Sequence, residues 1–154
     1  MIKCKYSHED YVSLEQAKAL KELGFDWMTR AWYSDLYNED NWDFIIAEYF
    51  KNFNDPKYDW RISAPTLAQA QKWLRGNGIG IEIQIYTRER SDWGPNYFSG
   101  VFYGAVFTST KDARMMGRLS KDYNTYEEAL SSGIDKALEL LKEQSNELDK
   151  HKEP

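Results

Sequence analysis

Cysteine is almost absent from this chain of 154 residues: Cys4 stands alone, so no internal disulfide can form. A lone thiol suits a reducing compartment, and a cytoplasmic location is the expectation. Histidine is nearly as scarce, with His8 and His151. Those three side chains are the whole supply of nitrogen and sulfur metal ligands, and a zinc centre needs three or four. No metal and no cofactor is therefore expected. Long hydrophobic runs are missing too, and nothing approaches the ~20 apolar residues of a membrane helix. The opening Met1-Ile2-Lys3-Cys4-Lys5 lacks the apolar stretch of a secretory signal. Leu, Ile, Val and Phe together supply 31 residues, few enough to approach the composition of disordered chains.

What compensates is aromatic: 6 Trp and 11 Tyr, rings that each bury a large area. The length suits one domain, or at most two very small ones. A single domain over 1–143 is expected, with a charged tail over 144–154 that frays. Charge is unevenly spread. Residues 35–59 hold seven acids against Lys51 and Lys57, residues 61–121 nine bases against four acids, and residues 122–154 nine acids against four bases. Such asymmetry can mark a partner surface, although acidic and basic elements also neutralise each other across one fold.

Three segments carry the capping-box pattern of a helix start: Ser13-Leu14-Glu15-Gln16, Thr66-Leu67-Ala68-Gln69 and Thr125-Tyr126-Glu127-Glu128. Apolar spacing then predicts helices over 14–23, 67–75 and 126–141, the last with Ala129, Leu130, Ile134, Ala137 and Leu138 on one stripe. Gly24 and Gly76-Asn77-Gly78 stand where the first two should stop. Elsewhere the period is two. Ile79, Ile81, Ile83 and Ile85 alternate with Gly80, Glu82, Gln84 and Tyr86, which predicts a half-buried strand. Residues 97–107 predict a strand apolar on both faces, and 27–33 a third. Residues 44–50 would serve a strand or a short buried helix. Helix, glycine stop and strands thus occur twice before a long closing helix. The expected class is α+β, with helices on one face of a largely antiparallel sheet and a duplicated αββ unit.

Three stretches resemble a known family. They are Ser13 through Asp26, Ser63-Ala64-Pro65-Thr66 through Lys72-Trp73-Leu74-Arg75, and Tyr123-Asn124-Thr125 through Leu141. Together, over about a third of the chain, they resemble small proteins of Bacteroides-like gut bacteria that often accompany prophages and other mobile elements. Relatives often continue the second run with Glu, a small residue and His, where this chain has Gly76-Asn77-Gly78. No activity is established for that family. The resemblance implies a bacterial cytoplasm and a phage-related context, and it lends no catalytic residues.

Catalytic patterns are hard to find. A thiol nucleophile needs a nearby base, and Cys4 with His8 is the sole such pairing. Gly76-Asn77-Gly78-Ile79-Gly80 follows a helix and precedes a strand, the reverse of a phosphate-binding loop. The acidic stretch Asn38 to Asp43 lacks the glycine and distant glutamate of a calcium loop. Glu127 and Glu128 are explained by capping. The segment from Arg88 to Tyr97 stands out, because Gly94-Pro95 turns between two strands and Trp and Arg are enriched in binding hot spots. Arg88, Arg90, Trp93, Tyr97 and Tyr103 are the candidate partner-binding residues. The expected function is non-enzymatic: protein–protein contact, including self-association through the second apolar face of 97–107. The alternatives are single-stranded nucleic acid held by Arg88, Arg90, Lys111, Arg114, Arg118 and Lys121 beside stacking rings, which the net charge of −5 disfavours, and an enzyme with a carboxylate-lined pocket.

Overall fold

The computed structural model describes residues 10–35, 41–89 and 98–150. Their order is α1 (Leu14–Glu22), β1 (Thr29–Ser34), β2 (Asp43–Lys51), β3 (Arg61–Ala64), α2 (Leu67–Gly76), β4 (Ile79–Glu89), β5 (Phe98–Ser109), β6 (Met115–Arg118) and α3 (Tyr126–Lys150). The class is α+β with antiparallel sheets, as the periodicities imply. The strands form two three-stranded sheets, ordered β2-β1-β3 and β4-β5-β6. Helix followed by strands does recur, but each half carries one strand more than an αββ unit. The additions, β3 and β6, are four residues each, too short for alternation to register. The central strand comes first in one sheet and second in the other, so the matching helix starts reflect shared capping chemistry more than shared topology.

That chemistry is visible. Gln16 N donates to Ser13 Oγ at 3.2 Å while Ser13 N donates to Gln16 Oε1 at 2.9 Å. Thr66 and Gln69 repeat the exchange at 3.1 and 3.2 Å. At the third start Glu128 N donates to Thr125 Oγ1, but the Glu128 carboxylate accepts from Asn124 N, one residue upstream. Gly24 ends α1 at φ +88°, a conformation that costs glycine little. The ambiguous 44–50 stretch is a strand, as its paired isoleucines and aromatic rings favour. Past Glu143, where its apolar period ends, α3 continues through Lys150.

The chain divides into two compact units: the described residues up to Trp73 with the end of α3 from Lys142, and Leu74–Leu141. In the first unit α1 packs near β3, and the core holds Val12, Leu20, Phe25, Ala31, Tyr33, Ile62 and Trp73. Its other sheet face is aromatic. Trp32 stacks on Phe53 at 4.4 Å, and the Arg61 guanidinium lies 3.8 Å from the Trp60 ring centre with Tyr58 and Trp32 beyond. In the second unit α3 packs on β4 and β5 through Ala129, Leu130, Ile134 and Ala137, over Ile79, Ile81, Ala105 and Phe107. Contact is closest at Gly133, where a Cβ would stand 3.0 Å from Ile81 Cγ2 and 3.3 Å from Ala105 Cβ.

Two predictions follow from this packing. Gly133→Leu should destabilise the protein by about 1–3 kcal/mol through overpacking, read from a urea midpoint. Tyr33 is buried, and its hydroxyl donates to the Val12 carbonyl at 2.8 Å. Burial raises its phenol above the ordinary 10.0. The folded state therefore holds this proton more tightly than the unfolded state. The resulting stability is complete below the ordinary value and is lost as pH rises through the raised one. Tyr33→Phe should cost about 1–2 kcal/mol at neutral pH and should flatten part of the alkaline decline, measured by denaturation at neutral and alkaline pH.

Candidate functional site

Strands β4 and β5 pair over nearly their whole length, with Ile81 opposite Phe107, Ile83 opposite Ala105, Ile85 opposite Tyr103 and Thr87 opposite Val101. Opposed residues share a face, so the isoleucine series and these β5 partners make one continuous apolar surface. The surface is buried at Ile79, Ile81, Ala105 and Phe107, where α3 lies. It then runs out of cover. Ile85 is 65% exposed and Val101 53%, with Tyr103 half-buried between them. An exposed aliphatic pair directly beyond a buried series is the most conspicuous apolar feature of this unit.

The opposite face is polar and partly filled. Gly104 faces Gln84, Phe102 faces Tyr86, and Val106 lies between Glu82 and Arg118. The Tyr86 ring crosses over Gly104, where a Cβ would come within 3.2 Å of it, and its hydroxyl donates to the Asp122 carboxylate. Past β6 the chain returns along β5. Leu119 N donates to the Ala105 carbonyl, and Tyr123 exchanges two backbone bonds of 2.9 Å with Tyr103. Ser120 and Asp122 thereby wall an open groove of about 680 Å³, together with Glu82, Gln84, Tyr86 and Arg118. A smaller hollow of about 410 Å³ adjoins Lys121, Asn124 and Glu128. Part of the second face of β5 is thus covered from within the chain. Val106 and Gly104 are buried there, because a tyrosine and the returning chain cover positions that alternation alone leaves open.

Chemically the groove offers donors and acceptors of both signs. Asp122 is engaged by Tyr86. Among the described residues no group of three or more His, Cys, Asp or Glu gathers to hold a metal. The bases of the nucleic-acid alternative are interrupted by acids. Arg114 Nε lies 3.9 Å from Asp112, whose carboxyl is held below the usual range by the Ser109 hydroxyl and the Arg114 amide.

Of the sequence candidates, Tyr103 lies on the helix-side face beside Ile85 and Val101, and Arg88 lies in β4. Arg90, Trp93 and Tyr97 fall outside the described residues, as do Cys4, His8 and His151. Ile85 and Val101 were present in the apolar alternation, but only the end of helix cover singles them out. The Tyr86–Asp122 contact was signalled faintly by Gly104, since glycine inside a strand often marks a close approach.

No family model, curated protein or solved structure matches this chain. Tyr86→Phe removes a single hydroxyl and should cost about 1 kcal/mol of stability. A denaturation midpoint equal to that of the unaltered protein would show that the Tyr86–Asp122 bond does not brace the groove.

Proposed function

We propose that this protein is a non-enzymatic interaction module whose protein partner meets the uncovered end of the β4–β5 pair. The observation that supports this most is the exposure of Ile85 and Val101 on a strand pair otherwise sealed by α3. Exposed apolar groups in a contiguous patch usually serve an interface. In sequence, these two residues bracket Arg88, Arg90, Trp93 and Tyr97, residue types that often dominate binding energy. Tyr103 joins the patch from β5. A cytoplasmic setting agrees with the lone cysteine, and a role as accessory cargo of a phage or mobile element draws on the family resemblance. No helix among the described residues is long and apolar enough to cross a membrane.

A small-molecule or enzymatic role ranks second, supported by Glu82 and Asp122 in the groove. Against it stand the openness of that groove and the commitment of Asp122 to Tyr86. Nucleic-acid binding ranks below both, because Asp112 divides the basic stretch and Asp122 closes it.

A photoreactive amino acid placed at Val101 should form adducts with protein when activated in bacterial cells, and the same group at exposed Glu127 should not. Adding Ile85→Ser should remove the Val101 adducts while circular dichroism stays unchanged. Equal labelling from both positions, or tight and salt-dependent binding of a single-stranded oligonucleotide by the purified protein, would overturn the proposal.

A further inference from the structure

A guanidinium without a counter-charge lies on the aromatic face of the first unit. Strand register puts it there. Trp32 pairs with Ser63 and Ser34 with Arg61, so Trp32 and Arg61 are diagonal neighbours on one face of the β1–β3 pair. The residues directly opposite them are buried serines, which leave the space above the sheet to the two long side chains. A tight turn supplies the other walls. Tyr58 N donates to the Asp55 carbonyl at 2.9 Å and Arg61 N to the Tyr58 carbonyl at 3.2 Å, which folds Tyr58 back beside the start of β3. The guanidinium carbon then stands 3.8 Å from the Trp60 ring centre, 5.2 Å from Tyr58 and 5.6 Å from Trp32. All four residues are half-buried.

The cluster has no acid of its own. Among the described residues no carboxylate pairs with Arg61, although Asp55 and Asp59 stand close in sequence. Asp55 is turned to its own loop, where it accepts from Lys57 N at 3.0 Å. The guanidinium donates no hydrogen bond among the described residues either. Its Nε and the neighbouring Trp32 Nε1 are buried without a partner, whereas the two terminal nitrogens keep contact with solvent. Rings attract a cation to their faces, but they leave the N–H groups at its edge unused. Stacking has thus oriented a planar fork and stripped much of its water while leaving its outer donors vacant. Such a fork binds an anion more strongly than one that must first be ordered and dried.

We infer that Arg61, framed by Trp32, Tyr58 and Trp60, is a docking site for a carboxylate side chain on an acidic peptide segment of a partner. Charge calls for an anion, and shape narrows the choice. The two oxygens of a carboxylate lie in the plane of the guanidinium when the pair is bidentate. A phosphate carries further oxygens out of that plane, toward ring faces that are themselves negative. The surroundings favour a peptide over a free ion. Phe53 stacks on Trp32 at 4.4 Å and leads to Tyr49, which is 56% exposed, so the aromatic surface continues beyond the fork. Lys51, whose ammonium lies 4.9 Å from the Tyr58 ring centre, suits a second acid in the segment. The site belongs to the first unit and makes no use of the Ile85–Val101 patch.

The test follows the Trp32 indole N–H by NMR in the full chain, with Trp32→Phe to assign it. The probes are acetyl-Gly-Glu-Gly-Phe-amide, its glutamine counterpart and inorganic phosphate. The glutamate peptide should shift this resonance and bind at least about tenfold more tightly than the glutamine peptide, as a charge-assisted fork predicts. Arg61→Gln should abolish that preference, and Arg61→Lys, which keeps the charge without the fork, should weaken it about fivefold. Circular dichroism of both variants should match the unaltered protein. Equal affinity for the two peptides would overturn the inference, and that comparison needs no variant. So would a preference that survives Arg61→Gln, phosphate binding tighter than the glutamate peptide, or a Trp32 resonance unmoved by either peptide at about 10 mM, a concentration that reveals even weak binding.

Discussion

The second unit depends on how near α3 can come to its sheet at Gly133. Any side chain there would meet Ile81 and Ala105 at about the distance where real Cβ atoms stop. Because the helix sits so low, short residues suffice around it: Ala129, Ala137 and Ala105 are all buried. That is how a chain with few aliphatic residues seals a core. Farther along the same strand pair, beyond the buried series, Ile85 and Val101 stand in solvent.

The aromatic content found its use mainly in the first unit. There the rings pack on one another and on cations: Tyr11 on Phe44, Phe25 on Trp73, Trp32 on Phe53, and Arg61 among Tyr58, Trp60 and Trp32. Stacked rings contribute somewhat beyond their buried area. A cation over several faces contributes more when partly desolvated.

Helix starts and the paired strands β4 and β5 were legible because each rests on local chemistry: a hydroxyl three residues from an amide acceptor, or four isoleucines in strict alternation. The third strands were illegible for the opposite reason. Arg61–Ala64 and Met115–Arg118 have too few residues for a period, and each is a strand because an existing edge accepts it. The site was less legible still. Tyr103 was found from the sequence as one ring among many. Its neighbours Ile85 and Val101 looked like core, since nothing local reports where a distant helix stops. Nor could alternation reveal that Tyr86 reaches Asp122 from 36 positions away.

Charge was the least transferable signal, and the turns show why. Asp55 accepts from Lys57 N at 3.0 Å, and Asp112 accepts from Arg114 N at 3.3 Å. Each is an aspartate folding its own loop. Asp112 does so inside the basic stretch, and Asp122 at its end binds a tyrosine hydroxyl. Acids placed for turn chemistry divide the run of bases at the points where the chain must bend, so a net charge of +5 over residues 61–121 does not become one positive surface.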